Sequence, residues 1–226
     1  MSLPLLILRP IEGAQSTAAK AQACDLNPIV DPLFEIKPLP WTAPPADQYD
    51  AIMFTSANAV KMADTKLQDY AHLPALVVGA TTEREAEMAG FKVIQTGKSG
   101  VQSLVDMLPI KGFERILRLS GSEYTAVQSD RTMDHIAVYE SVCIGLGERA
   151  RLSLASGVVI LIHSLRAAQS LVGEMEKWDI PRARNHIIAI SPNVADATGK
   201  AWKSIDVAKQ PTDEALLTQA ARLCSA

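Results

Sequence analysis

Short, continuous apolar runs recur along this 226-residue chain, and an amphipathic stretch follows most of them. A run that is apolar throughout is typical of a strand buried on both faces of a parallel sheet. Helices must cover those faces, so the alternation predicts an α/β fold with parallel sheets. Ten strands are predicted, at 5–8, 28–31, 51–54, 75–78, 92–94, 115–119, 135–139, 158–162, 186–190 and 204–207.

The amphipathic stretches predict eight helices, at 14–24, 57–67, 82–89, 101–108, 124–133, 165–178, 194–201 and 213–223. Ten strands are many for a single compact sheet in a chain of this length. We therefore expect two sheets with helices on both faces of each.

A weak internal repeat supports two halves. Phe54–Ala59 and Ile162–Ala167 share a strand end, a polar residue, a serine, two further residues and an alanine, and two more strand–helix units follow each block. Each half has two further strands. In one half these strands, 5–8 and 28–31, precede the repeated block. In the other half the corresponding strands, 115–119 and 135–139, follow the block. The simplest layout is one five-strand domain made from both chain ends, with a second five-strand domain inserted.

The proline-rich segment Lys37–Ala46 lacks the periodicity of a helix or a strand. Proline fixes φ and restricts the preceding residue, so we expect an extended, stiff connection here. The predicted boundaries are 1–37 with 143–226 for the first domain, 48–138 for the inserted domain, and 38–47 with 139–142 for the connections.

The charge balance limits the classes of partner. The 22 basic and 25 acidic residues give a net charge of −3. Broad electrostatic binding of nucleic acid needs a basic face, so we expect no nucleic-acid partner. No apolar run approaches the ~20 residues that cross a membrane, so we expect no membrane partner either.

Cysteine usage and the N-terminal residues favour the cytoplasm. Cys24, Cys143 and Cys224 are odd in number and far apart, and there is no CxxC. We therefore expect neither a disulfide framework nor a zinc site. The chain starts without a basic leader, so its first apolar stretch is interpreted as a strand and not as a signal peptide.

Two glycine-containing motifs point to nucleotides but lack the residues that would complete them. Gly145–Ala150 matches the dinucleotide fingerprint, yet no acidic residue ends the next strand. Thr96–Ser99 resembles the end of a P-loop, yet the preceding glycine is too distant, and an N-cap by Ser99 is the simpler interpretation. We expect no cofactor.

Polar residues stand where most predicted strands give way to a helix, at Thr55-Ser56, Thr81-Thr82, Ser120-Gly121-Ser122, His163-Ser164 and Ser191-Pro192-Asn193. Helix capping explains part of this pattern. In parallel sheets these turns also meet at the carboxyl ends of the strands, where ligands bind, and helix N-termini favour anions. Arg9, Lys98, Arg118 and Arg166 lie near these turns and add local positive charge. The pattern favours a large polyanionic ligand.

At these residues the chain resembles the uroporphyrinogen-III synthase family over nearly its whole length. The resemblance rests on the order of weak motifs: Arg9-Pro10 with Gly13-Ala14, Pro32–Ile36, Asp50–Val60, Val78-Gly79 with Thr82, Ala89–Phe91, Leu117–Gly121, Val138-Tyr139, Ile162–Ser164 and Ile190–Pro192. Two turns depart from the family. Leu165 stands where proline is common, and Asn193 and Val194 stand where relatives often carry a hydroxyl residue.

The resemblance implies two flavodoxin-like parallel-sheet domains joined by a two-stranded linker, with the active site in the cleft between the domains. It implies a cyclising lyase that needs neither metal nor cofactor. The substrate would be hydroxymethylbilane, a linear tetrapyrrole polycarboxylate. The enzyme would remove water, invert ring D through a spiro intermediate and close the macrocycle of uroporphyrinogen III.

The resemblance also implies the site residues. Tyr139 matches the family's proton donor for the departing hydroxyl group. The predicted substrate-binding residues are Arg9, Thr55, Ser56, Ala57, Thr82, Ser120, Gly121, Ser122, Ser164, Leu165, Arg166, Pro192 and Asn193. We expect a monomer that receives the bilane by transient hand-over from the enzyme that forms it.

Two other classes of function fit part of the pattern. A two-lobed module that binds a metabolite without catalysis would also have two α/β domains and a hinge. A nucleotide- or flavin-dependent enzyme would use similar sheets, but the missing ribose-binding acid and the broken P-loop spacing disfavour it.

Overall fold

The computed structural model describes residues 3–109 and 111–224, which form eleven strands and eight helices. The strands are β1 (Leu5–Ile7), β2 (Pro28–Val30), β3 (Phe34–Pro38), β4 (Ala51–Phe54), β5 (Ala75–Val78), β6 (Val93–Gly97), β7 (Arg115–Gly121), β8 (Thr132–Cys143), β9 (Val159–Ile162), β10 (His186–Ala189) and β11 (Ser204–Val207). The helices are α1 (Ile11–Gln22), α2 (Ala57–Met62), α3 (Ala80–Met88), α4 (Val101–Asp106), α5 (Glu148–Ser156), α6 (Leu165–Lys177), α7 (Pro192–Ala197) and α8 (Asp213–Cys224).

The chain divides into two compact units. The first contains the described residues as far as Glu35 and those from Cys143 onward, and the second runs from Ile36 to Val142.

The first unit is a five-stranded sheet in the order β11-β10-β9-β1-β2, and all its neighbouring strands are parallel. Numbered along this unit, the order is 2-1-3-4-5, as in flavodoxin-like folds. Leu6 and Ile160 point to the face covered by α5, α6 and α7. Leu5 and Leu161 point to the face covered by α1 and α8. Strands buried on both faces account for the continuous apolar runs in the sequence.

The second unit is a six-stranded sheet in the order β3-β8-β7-β4-β5-β6, in which the strands from β8 to β6 are parallel. Phe54 and Leu117 point to the face covered by α2 and α3. Met53 and Leu76 point to the opposite face, which α4 covers.

The two sheets confirm the predicted α/β fold class and the permuted repeat. The second sheet has six strands and not the predicted five, because β3 adds to its edge. The order β2-β1-β9-β10-β11 in the first unit corresponds, strand for strand, to β8-β7-β4-β5-β6 in the second. The sequence motifs predict these correspondences. Strands β1 and β2 precede the repeated block of the first unit, whereas their counterparts β7 and β8 follow the block of the second unit.

The proline-rich segment is shorter than predicted and is anchored to the second unit. Its start belongs to β3, which lies at the edge of the sheet, a position where proline is tolerated. The Trp41 indole is 6% exposed and donates from Nε1 to the Ala63 carbonyl at 3.0 Å. The Tyr70 hydroxyl donates to the Pro44 carbonyl.

Three local predictions are wrong. The helix predicted at 124–133 is absent, and β8 begins there at Thr132. Helix α5 forms where no helix is predicted. Ser99 caps no helix, since α4 begins after Gly100, whose φ of 104° suits glycine.

Candidate functional site

A cavity of about 450 Å³ opens in the second unit, where β4, β5 and β7 reach their carboxyl ends. This is the edge of a parallel α/β sheet at which ligands bind. The lining residues are Thr55, Ser56, Val78, Gly100, Val101, Arg118, Ser120, Gly121, Glu123, Tyr124, Thr125 and Tyr139.

The cavity brings together five of the predicted site residues, which the chain separates by up to 84 positions: Thr55, Ser56, Ser120, Gly121 and Tyr139. Three other predicted residues of this unit do not line it. Ala57 is the first residue of α2, Thr82 is 4% exposed within α3, and the Ser122 amide donates to the Tyr139 carbonyl at 2.9 Å.

Ser56 begins α2 as its N-cap. Its backbone is extended, with φ −156° and ψ 145°, and its Oγ accepts a hydrogen bond from the Asn58 amide at 3.2 Å. Accepting this bond leaves the hydroxyl proton available for a ligand.

Tyr139 lies opposite Gly121, where the register of β7 and β8 shifts after Ser120. A Cβ atom on Gly121 would lie 2.9 Å from the ring atoms Cε2 and Cζ of Tyr139 and 3.1 Å from its hydroxyl oxygen. The ring therefore packs directly on the glycine. No residue of the described ranges hydrogen-bonds to the Tyr139 hydroxyl, which is thus available to a ligand.

Arg118 is 3% exposed, although it lines the cavity. Its Nη1 donates to the Thr125 carbonyl at 2.9 Å, whereas its buried Nε has no partner among the described residues. Burial lowers the pKa of the guanidinium, and no carboxylate within the described part of the chain forms an ion pair with it.

Tyr124 lines the cavity beside Arg118, and His135 packs against Tyr124. His135 pairs with Arg118 in the register of β7 and β8, and the Tyr124 ring stacks on His135 with the centroids 3.7 Å apart. The Ser120 hydroxyl donates to the Gly121 carbonyl at 2.9 Å and lies 2.6 Å from His135 Nε2. Whether Nε2 donates or accepts in this contact depends on the tautomer of the imidazole. Burial, followed by the charge of Arg118, lowers the pKa of His135 and favours its neutral form.

In the first unit, Ser164 begins α6 in the same way as Ser56 begins α2. Its φ of −155° and ψ of 155° are nearly those of Ser56, and its Oγ accepts from the Ala167 amide at 3.1 Å. Leu165 is 49% exposed at the first helical position, and the Arg166 guanidinium lies 4.5 Å from the centroid of the Phe34 ring. Pro192 and Asn193 begin α7, and neither is buried.

Arg9 is held by an acidic residue of the same unit. Its Nη1 lies 3.0 Å from Asp213 Oδ1, and Asp213 also accepts from the Thr17 hydroxyl at 2.9 Å and lies 3.1 Å from His163 Nε2. A Cβ on Gly13 would lie 2.5 Å from Arg9 Nε, so the glycine makes room for this arrangement. The charge of Arg9 is compensated, unlike that of Arg118.

Arg118 is predicted only as a source of positive charge near the turns, and Tyr124 and His135 are not predicted at all. The available signal was the arginine in the otherwise apolar run Ile116–Leu119, because a buried arginine needs a partner. Tyr124 and His135 carried no such signal, since their stacking depends on a long-range contact.

Two further properties concern the whole described part of the chain. Within residues 3–109 and 111–224, no three histidine, cysteine or acidic side chains are grouped so as to hold a metal ion. None of the helices in these ranges has the length and apolar character required to cross a membrane.

The fold and the cavity define a class of α/β protein with two parallel sheets and a polar ligand pocket at the carboxyl edge of one of them. Within that class, the chain belongs to the uroporphyrinogen-III synthase family, because the family's sequence model, described as uroporphyrinogen-III synthase HemD, matches residues 15–218. No curated protein matches the chain.

Solved structures share the fold of this chain. The chain is similar to uroporphyrinogen-III synthetase from Helicobacter pylori 26695, with a TM-score of 0.68, 19% identity and coverage of 98% of this chain and 99% of that one. It is also similar to a mutant uroporphyrinogen III synthase from the extremely thermophilic bacterium Thermus thermophilus, with a TM-score of 0.52, 14% identity and the same coverage. At these identities the likeness is one of fold.

Proposed function

We propose that this chain converts hydroxymethylbilane to uroporphyrinogen III, with loss of water and inversion of ring D through a spiro intermediate. The observation that carries the proposal is the cavity at the sheet edge, where the Tyr139 hydroxyl and the guanidinium of Arg118 lie in one pocket. The bilane offers what such a pocket binds, namely a leaving hydroxyl group and carboxylate arms.

Tyr139 is the proposed proton donor. A phenol carries its proton at neutral pH and can pass it to the hydroxyl group as the carbon–oxygen bond of the hydroxymethyl arm breaks and water leaves. The absence of a hydrogen-bond partner for this hydroxyl among the described residues leaves its proton free for that role. Packing of the ring on Gly121 supports a fixed position for the donor.

Binding supplies the rest of the proposed mechanism. The bilane closes without help to the type I isomer, so the enzyme must hold the conformation that leads to inversion. We propose that hydroxyl and amide groups of the polar turns hold the bilane in this conformation. The residues are Thr55 and Ser56 in the second unit and Ser164, Leu165 and Asn193 in the first. Arg166 would add positive charge, whereas Arg9, predicted for the same role, already pairs with Asp213.

The isomer ratio tests the function. Purified protein is given freshly generated hydroxymethylbilane, and the uroporphyrinogen isomers are separated and quantified. We expect predominantly type III. Type I formed at the spontaneous rate by a folded protein would overturn the proposal and favour a metabolite-binding module without catalysis.

Tyr139→Phe tests the proton donor. Because positioned acids contribute ~10²-fold or more and the bilane is reactive without help, we expect kcat to fall roughly 10²-fold without being abolished. Tyr49→Phe is the matched control, since Tyr49 is a buried tyrosine of the same unit that does not line the cavity. Complete loss of activity in a folded Tyr139→Phe protein, or no change, would contradict the assignment.

We further propose that the protein is a cytoplasmic monomer that takes the bilane by transient hand-over from the enzyme that forms it. Cys24 and Cys143 are exposed free thiols, which suits a reducing compartment. Spontaneous closure to type I makes direct transfer advantageous. Sedimentation of the protein alone tests the monomeric state, and sedimentation with the bilane-forming enzyme tests the hand-over.

A further inference from the structure

We propose that Arg118 binds one carboxylate arm of the bilane within the cavity of the second unit, and that Tyr124 and His135 keep its guanidinium in place. The inference rests on the proposed function for the identity of the ligand. It rests on the structure for the existence of a carboxylate site.

The first argument is uncompensated charge. A buried guanidinium is ordinarily paired, because removing a charge from water costs several kcal/mol. Arg118 is 3% exposed and has no ion pair with any carboxylate in the ranges 3–109 and 111–224. A bound carboxylate would supply the missing counter-charge.

The second argument is unused donors. A guanidinium carries five N–H groups in a fixed planar fork. Within the described part of the chain, Arg118 makes one hydrogen bond, from Nη1 to the Thr125 carbonyl, and the buried Nε has no partner. A carboxylate accepts two parallel hydrogen bonds from such a fork.

The third argument is that the side chain is held before any ligand binds. Tyr124 stacks on His135, and the Arg118 Cζ lies 5.2 Å from the centroid of the Tyr124 ring. The segment that carries Tyr124 is tied down further along, where the Gln102 side chain accepts from the Gln128 amide at 2.9 Å and donates to its carbonyl at 3.0 Å. Preorganisation of this kind reduces the entropy lost on binding.

The cavity suits a carboxylate better than a phosphate. Arg118 is the single lysine or arginine among the lining residues, and Glu123 adds a negative charge. A monoanion balances one guanidinium, and Glu123 repels a singly charged carboxylate less strongly than a phosphate dianion.

Arg118→Gln tests the inference in the complete protein. We expect the KM for the bilane to rise roughly ten- to hundredfold, the range for hydrogen bonds to charged groups, with a smaller change in kcat. Arg118→Lys should recover only part of the loss, because lysine keeps the charge but not the fork. Arg115→Gln is the matched control, since Arg115 lies on the same strand, is half-exposed and pairs with Asp134. An unchanged KM in Arg118→Gln would overturn the inference.

A titration without the bilane separates this inference from the proposed function. Sodium propionate is added at constant ionic strength while the His135 ring is followed by NMR. We expect a saturable shift in the wild type that Arg118→Gln removes and Arg115→Gln retains. No shift, or the same shift in Arg118→Gln, would overturn the site, and a stronger response to inorganic phosphate would overturn its chemistry. A wild type that binds propionate through Arg118 but yields only type I would overturn the proposed function and leave the carboxylate site standing.

Discussion

Gly121→Ala should displace the proposed proton donor without removing any polar group. The new Cβ would lie 2.9 Å from Cε2 and Cζ of Tyr139. Ordinary contacts between carbon atoms are ~3.5–4.0 Å, so the ring or the strand must move by at least about 0.6 Å. Extra atoms of this kind cost ~1–3 kcal/mol of stability in packed sites. We expect the lower end, because the contact is with the outer end of one side chain.

The expected effect on catalysis is larger than the effect on folding. A displacement of 1 Å can cost ~10²-fold in rate, so about 0.6 Å predicts a fall in kcat of roughly tenfold. The assay is the initial rate of type III formation, with circular dichroism and urea denaturation to verify the fold. Substrate binding should change less than kcat, because Arg118 lies on the neighbouring part of the strand and keeps its contacts.

Two controls test the reasoning. Gly173→Ala adds the same methyl group inside α6, where no atom of the described residues would crowd it within 4 Å, and should stabilise the helix by ~0.5–1 kcal/mol without changing the rate. In a Tyr139→Phe background, Gly121→Ala should no longer lower kcat, because the hydroxyl that it displaces is missing. An unchanged kcat in a folded Gly121→Ala protein, or an equal fall in the Tyr139→Phe background, would refute the argument.

Two further predictions concern titration. Burial lowers the pKa of His135, His163 and His186 below the ordinary value of 6.5, so the unfolded chain binds more protons in mild acid and the free energy of unfolding should fall as the pH drops through 6.5. Urea denaturation at about pH 7.5 and about pH 5.5 checks this, and equal stabilities would count against it. Burial and the hydrogen bond to Asp134 raise the pKa of Tyr49 to about 12, so spectrophotometric titration should show a late tyrosine ionisation that Tyr49→Phe removes. A late ionisation that persists in that variant would contradict the assignment.

The strand pattern was sufficient to predict which strands of the two sheets correspond, although it missed β3 at the edge of the second sheet. Strands buried on both faces leave continuous apolar runs, and the serine turns after β4 and β9 marked which strands correspond. Ser56 and Ser164 then adopt nearly the same backbone angles and both accept a capping hydrogen bond. These are local properties, since a cap depends on residues two or three positions away.

The segment 124–133 shows where local pattern fails. Its apolar spacing predicts a helix, yet Tyr124 covers His135, and Val127 packs against the core beside α4. Arg131 donates to the carbonyls of Phe113 and Pro109. These contacts with distant parts of the chain outweigh helix propensity, which is a weak preference of a few tenths of a kcal/mol per residue.

The candidate site also has features that the sequence predicts and features that depend on tertiary contacts. The polar turn at Thr55 and Ser56 is visible in the sequence, because it follows β4 and precedes α2. Ser120 and Gly121 are visible as part of a polar turn at the end of β7, but no helix follows them. The state of Arg118 is not visible in the sequence. The burial of its guanidinium depends on Tyr124, which lies in a loop, and on His135, which lies on the neighbouring strand. Its uncompensated charge depends on the absence of a carboxylate partner in the described ranges. Burial and counter-charge are sums over neighbours in space, and those neighbours are assembled only when the chain has folded.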